Sequence, residues 1–237
     1  MVRSSGRLLG DSRRLPCYRP AMTLKAAIVP VTPLAQNCAI VWDTKTGRGA
    51  VIDPGGDAEW VAERVAAHGV TVEQIVLTHG HIDHAGGAAR LKRLLGGVPI
   101  VGPGVADRFL LEELPLSGTR YGIPDAEAVL PDRWLAEGES LEIGGRAFSV
   151  LHCPGHTPGH MVFVDVPGKV AIVGDVLFRG SIGRTDFPYG DHPALVSAIR
   201  SKLFPLGDDI AFLCGHGPGS SFGAERRSNP FVGDHAA

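Results

Sequence analysis

Residues 78–87 carry the densest group of potential metal ligands in the sequence. Three imidazoles and one carboxylate fall within six residues, as His79, His81, Asp83 and His84. Neutral imidazole and carboxylate are ligands that borderline divalent ions such as zinc prefer. His79 and His81 point to the same side of an extended chain, because side-chain direction repeats every two residues. Asp83 and His84 are offset by one position and can face a second ion. The spacing therefore predicts half of a two-metal site rather than a solvated, histidine-rich turn.

Three later segments place a metal-binding side chain just after an apolar, strand-like run. The side chains are His156, Asp175 and His216, and each lies next to a glycine. Glycine lets the backbone turn sharply near a ligand. Loops at strand ends are where a rigid scaffold presents its functional groups. We therefore expect these three residues to complete the site.

Alternating short strands and helices position these loops. Apolar runs bounded by Gly, Pro and Asn predict strands at residues 24–29, 38–42, 50–52, 72–77, 98–101, 148–151, 161–164, 170–173 and 210–213. Apolar stripes at helical spacing predict helices at residues 58–67, 88–95, 105–114 and 195–203. Asp57 is the expected N-cap of the first helix. Two strand-rich halves with helices between them predict an α/β (α+β) fold of two packed sheets, with helices outside.

A Pro/Gly-rich connection at residues 115–131 interrupts this pattern. Long connections without periodicity are either functional flaps or plain surface loops. The sequence leaves both interpretations open.

Composition and charge exclude several classes of protein. The chain has 237 residues, of which 44% are hydrophobic and 20% charged, as in a globular protein with a sizeable core. A net charge of −2 gives no basic excess for binding nucleic acid or an acidic membrane. No apolar run approaches the length of a membrane span. Four scattered cysteines favour free thiols and a reducing, cytoplasmic location. The oligomeric state is not predicted.

Residues 1–21 differ from the rest of the chain. They hold five arginines against one acid, with serines between them. Such a composition suits an organelle transit peptide. The preferred alternative is a disordered extension or an upstream start codon, with Met22 as the first residue of the folded domain.

The order HxHxDH at residues 79–84, then His156, Asp175 and His216, resembles the metallo-β-lactamase superfamily. More narrowly it is similar to the short, single-domain type of glyoxalase II-like (hydroxyacylglutathione hydrolase-like) hydrolases. The similarity runs through residues 31–33, 53–56, 178–188 and 215–231. It implies one hydrolase domain over residues 22–237, with an αββα sandwich of two mixed sheets and the site at one edge.

The resemblance also implies roles for the individual ligands. His79, His81 and His156 would bind a first ion, Asp83, His84 and His216 a second, and Asp175 would bridge them. The ions would be two divalent metals, zinc in first place, with iron or manganese as alternatives. Two cations roughly 3.5–4 Å apart make a bridging water nucleophilic near neutral pH. Asp83 and Asp175 would then take part in catalysis.

The loop after Asp175 bears on the substrate. In glyoxalase II enzymes this loop offers a lysine and a tyrosine to glutathione. Here Arg184 takes the lysine's place and can clamp a carboxylate, while Asp186 replaces the tyrosine. The C-terminal helical domain of the longer relatives is not expected after His216, and residues 220–231 would supply only a helix with Arg226 and Arg227.

The leading hypothesis is hydrolysis of a small thioester, with S-lactoylglutathione as the best guess. One alternative is a persulfide dioxygenase with a single iron, for which the full set of seven ligands is unnecessary. A lactonase or esterase of the same fold is a second alternative. A binding module without catalysis is a third, disfavoured because every ligand is present.

Several residues near the ligands have simpler interpretations. Cys153 and Cys214 are expected to be structural and partly buried. His152 and His160 suit packing or a supporting role behind the ligands. Asp53 either holds a ligand imidazole or loop amides from behind, or serves as a plain turn residue.

Overall fold

The computed structural model describes residues 24–236, and two sheets packed face to face form its centre. The first sheet has the strand order β1-β2-β3-β4-β5. Its strands are β1 (Leu24–Val31), β2 (Gln36–Asp43), β3 (Arg48–Ile52), β4 (Thr71–Val76) and β5 (Ile100–Val101). β3, β4 and β5 run parallel to one another. Their carboxyl ends therefore share one edge of the sheet.

The second sheet is also mixed and has the order β13-β12-β9-β8-β7-β6. Its strands are β6 (Ser140–Ile143), β7 (Arg146–His152), β8 (Met161–Asp165), β9 (Val170–Gly174), β12 (Ala211–Cys214) and β13 (Ser220–Ser221). A small hairpin of β10 (Leu177–Phe178) and β11 (Ser181–Ile182) follows β9. β9 and β12 are parallel, and β7 points the same way because each of β7 and β9 is antiparallel to β8.

Helices connect the strands and cover the outer faces. They are α1 (Ala58–Ala67), α2 (Ile82–Ala85), α3 (Ala88–Leu94), α4 (Arg108–Glu112), α5 (Leu114–Tyr121), α6 (His192–Ala198) and α7 (Phe222–Ser228). A π-helical turn (Ile199–Leu203) extends α6, and short 3₁₀ turns lie at Val105–Asp107 and Phe204–Leu206.

Three apolar layers hold these elements together. The middle layer lies between the sheets and includes Val41, Phe148 and Phe163. Each outer layer joins one sheet to its helices, and Ile40 of β2 belongs to one of them and Leu195 of α6 to the other. Ile40 and Val41 are neighbours in β2 and enter different layers, because successive side chains point to opposite faces. This explains the nearly continuous apolar run of β2. The predicted sandwich of two mixed sheets flanked by helices is confirmed.

The predicted helix at 105–114 and the predicted loop after it are both wrong in detail. A 3₁₀ turn and α4 end at Glu112, and α5 starts at Leu114. The break follows from Pro115, which lacks an N–H and restricts the residue before it, yet suits the first turn of a new helix. α5 ends where Gly122 takes a left-handed conformation, with φ 76°. The irregular connection therefore begins only after α5.

Two other local expectations need correction. Asp57 precedes α1 as predicted, but its side chain does not cap the helix. Its backbone is left-handed, with φ 49°, whereas a capping residue is normally extended. The carboxylate instead accepts the Thr32 N–H at 2.8 Å. β6, which the sequence analysis missed, pairs with β7 at the edge of the second sheet.

Residues 1–21, with the alternatives of targeting segment or extension, lie outside the described residues. Within residues 24–236, no helix is long and apolar enough to cross a membrane. Cys38, Cys153 and Cys214 are buried and carry free thiols, so the structure shows no disulfide among them.

Candidate metal centre

The predicted ligands meet at one edge of the sandwich because several strand ends share that edge. His79 and His81 lie on the loop after β4, and Asp83 and His84 lie in α2, which follows this loop. His156 lies between β7 and β8, Asp175 follows β9 and His216 follows β12. Two backbone hydrogen bonds join the sheets here, from Met161 N–H to Thr78 O and from Asn37 N–H to Gly215 O, each at 2.8 Å. The fold thus brings all seven residues together.

Three imidazoles form the first cluster, which we call cluster 1 and define as His79, His81 and His156. One ring nitrogen from each lies within 4.8 Å of the others. His79 Nε2 and His81 Nδ1 are 3.1 Å apart. His79 and His156 are buried, and His81 is partly so. Three converging nitrogens of this kind are a donor set for a divalent ion.

The second cluster, called cluster 2, consists of Asp83, His84 and His216. Its ligand atoms also lie within 4.8 Å of one another. Asp83 Oδ2 is 3.1 Å from His216 Nε2 and 3.9 Å from His84 Nε2. His84 is fully buried, whereas the side chain of His216 is 32% exposed. Cluster 2 is therefore the more open of the two.

Asp175 lies between the clusters. Its Oδ1 is 3.3 Å from His84 Nε2, and its Oδ2 is 3.6 Å from both His156 Nε2 and His216 Nε2. Gly215 makes room for it, because a Cβ there would overlap Asp175 Oδ1 and His84. One carboxylate thus reaches ligands of both clusters.

Unmet polar atoms show that these residues fit a metal. His84 Nε2, His156 Nε2 and Asp175 Oδ1 are buried and have no hydrogen-bond partner among the described residues. Buried polar atoms are almost always satisfied. The two nitrogens lie 3.3 and 3.6 Å from the Asp175 carboxylate, one in each cluster, where one cation per cluster would satisfy all three atoms.

The other ring nitrogen of each buried ligand is already held. His79 Nδ1 lies 3.0 Å from Thr78 Oγ1, His84 Nδ1 lies 3.0 Å from Asp53 Oδ2, and His156 Nδ1 lies 2.8 Å from the Arg184 carbonyl. These contacts keep a proton on Nδ1 and turn Nε2 inward, where its lone pair can bind a cation. Partners of this kind orient metal-binding histidines.

Asp53 lies behind the ligands. Its Oδ1 accepts the Thr78 N–H at 2.7 Å, and its Oδ2 accepts the Thr78 hydroxyl at 2.6 Å as well as His84. Asp53 is also close enough to His79 and His84 to form a third potential ligand group. Because both of its oxygens are already engaged, we interpret it as a support for ligands of both clusters.

The electrostatics of the metal-free clusters differ. Burial lowers the pKa of His79 far below 6.5, that of His81 to about 3, and that of His156 in the same direction. These imidazoles are neutral, which is their metal-binding form. Burial also opposes charge on His84, yet the carboxylates of Asp175 and Asp83 raise its pKa well above 6.5. Cluster 2 therefore holds a proton that an incoming cation would displace.

The Arg184 side chain, expected to bind a substrate carboxylate, is already paired within the protein. Its guanidinium makes two hydrogen bonds to the Asp186 carboxylate, at 2.7 and 2.8 Å. It also lies over the Phe187 ring, 4.6 Å from the centroid. Both partners of the ion pair are exposed. A substrate carboxylate would have to compete with Asp186 for this arginine.

The cysteines near the site stand apart from the clusters. Burial raises the pKa of the Cys153 thiol to about 12 and that of the Cys214 thiol to about 11. Neither belongs to a ligand group among the described residues. Their neutral thiols agree with the structural role expected of them.

A model of the metallo-beta-lactamase superfamily matches residues 31–216. The chain belongs to the metallo-β-lactamase superfamily. Among its relatives, the hydroxyacylglutathione hydrolase GloC of Haemophilus influenzae is 50% identical over 206 residues, which cover 86% of this chain and 96% of the relative.

Two solved structures are also similar to the chain. The B3 metallo-beta-lactamase BLEG-1 superposes with a TM-score of 0.80 at 34% identity, covering 88% of this chain and 99% of the other. TTHA1623 in a di-iron-bound form superposes with a TM-score of 0.77 at 36% identity, covering 86% of this chain and 99% of the other. The family match, the likeness to GloC and the two clusters together make the chain a metallo-hydrolase.

Asp107 is a buried residue beside cluster 1 that was not predicted from the sequence. Asp107 is fully buried after the end of β5. Its Oδ2 accepts the Gly80 N–H at 2.9 Å and the Thr157 hydroxyl at 2.7 Å, and its Oδ1 accepts the Gly159 N–H at 2.5 Å. It thereby ties the two loops of cluster 1 together. No local pattern marked it, because its partners are 27 to 52 positions away.

His160 supports the metal ligands from behind, which is one of the two roles expected of it. It is fully buried, and its ring stacks on that of His79 with the centroids 4.6 Å apart. Its Nε2 accepts the Asp175 N–H at 3.1 Å. His160 thus packs against one ligand and fixes the backbone of another.

Proposed function

We propose that this metallo-hydrolase binds two divalent ions, zinc in first place, with iron or manganese able to take the same ligands. Cluster 1 would hold one ion and cluster 2 the other. Asp175 would contribute to both, because it lies within 3.3–3.6 Å of ligand nitrogens in each cluster. This shared carboxylate is the observation that carries the proposal. The di-iron-bound form of a relative 36% identical supports a two-metal centre.

When bound, two such ions supply Lewis acidity that makes a water nucleophilic and draws charge from a carbonyl oxygen. The chain's own residues hold and orient the reactants. Asp83 stays charged in the buried site, because neighbouring histidines outweigh the effect of its burial and lower its pKa. Its Oδ1 makes no hydrogen bond to a described residue and can accept one from the attacking water. No protein nucleophile is needed, in keeping with the high pKa values of Cys153 and Cys214.

The proposed reaction is hydrolysis of a small thioester. Water adds to the carbonyl carbon, a C–O bond forms and the C–S bond breaks, leaving a carboxylic acid and a thiol. The best candidate substrate is S-lactoylglutathione, which would give lactate and glutathione. The support is the 50% identity to a protein named hydroxyacylglutathione hydrolase over nearly the full length of both chains. Free thiols at the three described cysteines suit a reducing, cytoplasmic setting.

The position of Arg184 supports a substrate that carries a carboxylate. Its own carbonyl holds His156 Nδ1, and its guanidinium lies over the Phe187 ring, which packs against His81 and His156 at the rim of cluster 1. Its pairing with Asp186 shows that the side chain adopts the two-pronged geometry that arginine uses for carboxylates. A glutathione carboxylate would replace Asp186 as its partner.

The experiment is an aerobic assay of metal-quantified protein with two substrates. Loss of the S-lactoylglutathione thioester is followed beside oxygen uptake with glutathione persulfide. Thioester loss without oxygen uptake supports the proposal. Oxygen uptake with one iron per chain would instead identify the dioxygenase alternative. Hydrolysis of lactones or simple esters, with the thioester untouched, would move the substrate to the lactonase or esterase alternative.

A further inference from the structure

Tyr189 touches a predicted metal ligand from outside the clusters. Its hydroxyl oxygen lies 2.9 Å from His81 Nε2. Tyr189 is partly buried and follows Arg184 on the loop between β11 and α6. No motif in the sequence marks Tyr189, and the reaction proposed above does not use it.

His81 needs such a partner more than the other imidazoles of cluster 1. It faces His79 with Nδ1, at 3.1 Å, so its Nε2 points away from the cluster. His79 and His156 face inward with Nε2 instead, and their Nδ1 atoms are held by Thr78 and by the Arg184 carbonyl. The Tyr189 hydroxyl occupies the equivalent position for His81, with the ring nitrogens exchanged.

The tyrosine ring is itself held in place by other aromatic rings. It stacks on Phe187 with the centroids 5.3 Å apart and the planes at 11°. The Phe109 ring meets its edge, also at 5.3 Å. Phe187 in turn packs against His81 at 4.9 Å. Because the ring is fixed on two sides, the hydroxyl is presented to Nε2 without a large loss of side-chain freedom.

We propose that Tyr189 is a positioning residue for His81, and the inference rests on the proposed metal centre. Its hydroxyl oxygen accepts the Nε2–H of His81 and selects the tautomer in which the Nδ1 lone pair faces the ion. Partners behind a ligand set its ring orientation and its strength as a donor, and their loss typically costs about 10–100-fold in metal affinity or activity.

The decisive variant is Tyr189→Phe, which keeps the aromatic stack and removes only the hydroxyl. The matched control is Tyr121→Phe. Tyr121 ends α5, is exposed and makes no hydrogen bond to another described residue. Both variants and the wild type are stripped of metal and titrated with zinc against a competing chelator. Each is then loaded with cobalt(II) for its visible absorption spectrum.

The expected result is that Tyr189→Phe weakens one of two zinc-binding steps by about 10–100-fold and alters the cobalt spectrum, while Tyr121→Phe matches the wild type. Unchanged zinc affinity together with an unchanged spectrum would overturn the inference. So would a rise in KM alone, because the hydroxyl would then act on the substrate. A parallel titration of His81→Ala separates the two proposals. If that variant keeps both binding steps, the proposed metal centre is wrong and not only the role of Tyr189.

Discussion

Clusters 1 and 2 share Asp175 but differ in how firmly their ligands are held. In cluster 1 the second nitrogen of every imidazole has a partner, namely Thr78, Tyr189 or the Arg184 carbonyl. In cluster 2 only His84 has such a partner, Asp53. His216 Nδ1 has none among the described residues, and its side chain is 32% exposed.

This difference shows how one edge of the sandwich can both hold metal ions and turn over a substrate. Fixed, buried, neutral ligands favour tight and selective metal binding. An open ligand set leaves room for water and substrate to approach, as catalytic sites require. We therefore expect cluster 1 to retain its ion firmly and cluster 2 to exchange its ion more readily.

The largest effect is expected from removing the group that both clusters share. Asp175→Asn deletes the negative charge between them, so both zinc-binding steps should weaken and thioester hydrolysis should fall by roughly 100–1,000-fold. Metal content and kcat on S-lactoylglutathione measure the change. The control is Asp125→Asn, an exposed carboxylate outside the clusters. A variant with full metal content and activity would contradict the shared role.

A second variant should separate the clusters. The Asp107 carboxylate accepts from Gly80 N–H, the Thr157 hydroxyl and Gly159 N–H. In Asp107→Asn one acceptor oxygen becomes an NH₂ donor, so at least one of these hydrogen bonds to the cluster 1 loops is lost. Leaving such a buried donor unsatisfied costs about 1–3 kcal/mol. We expect lower stability in urea and weaker zinc binding in one step, with the other step unchanged. Asp209→Asn, in an exposed pair with Lys169, is the control. Equal weakening of both steps would show that Asp107 does not act on cluster 1 alone.

Above pH 6.5, the pH dependence of the stability of the metal-free protein should report on cluster 2. Burial opposes charge on His84, but Asp175 and Asp83 raise its pKa above the usual 6.5. Protonated His84 therefore stabilises the folded state fully below pH 6.5. This stabilisation is lost as the pH rises through the raised pKa of His84 in the folded protein. The pKa of Asp175 is lowered from 3.8, so its contribution is lost as the pH falls toward acid. The pair should therefore stabilise the metal-free protein most between about pH 4 and 6.5.

Urea unfolding of chelator-treated protein across pH 4–9 tests this expectation. Each unit of pKa shift corresponds to about 1.4 kcal/mol. His84→Asn should flatten the decline above pH 6.5. His192→Asn, at the exposed start of α6, should leave it unchanged. A decline that persists in His84→Asn would assign it to other groups.

The smallest effect is expected at the rim. Exposed ion pairs contribute about 0–1 kcal/mol, so Asp186→Asn should barely change stability. By freeing Arg184 for a substrate carboxylate, it should lower KM for S-lactoylglutathione and leave kcat alone. Arg184→Ala should raise KM. If Asp186→Asn raises KM instead, Asp186 itself contacts the substrate.

Local spacing explains what the sequence could predict. The ligands lie on short motifs after apolar strands, and each of these motifs is visible without knowledge of the fold. The two-sheet architecture followed from the same runs. The helix that was predicted through residue 114 instead ends at Glu112, because Pro115 favours the start of a new helix, α5, at Leu114.

The supports behind the ligands could not be predicted in the same way. Asp107 reaches Gly159 across 52 positions, and Tyr189 reaches His81 across 108. Their roles exist only once the parallel strand ends meet at one edge. The pairing of Arg184 with Asp186 could have been predicted more easily, since the two residues are only two positions apart in the sequence. In the sequence, Asp186 stands out only as a departure from the family pattern.

The measurement that tests the central claim most directly is the metal stoichiometry of the stripped and reconstituted protein, with His81→Ala and His216→Ala beside the wild type. The account predicts two zinc ions per chain in the wild type and one in each variant. It also predicts that the ion left in His216→Ala, held by cluster 1, is released more slowly to a chelator than the ion left in His81→Ala. A single ion per wild-type chain, or loss of both ions on either substitution, would contradict the two-cluster account.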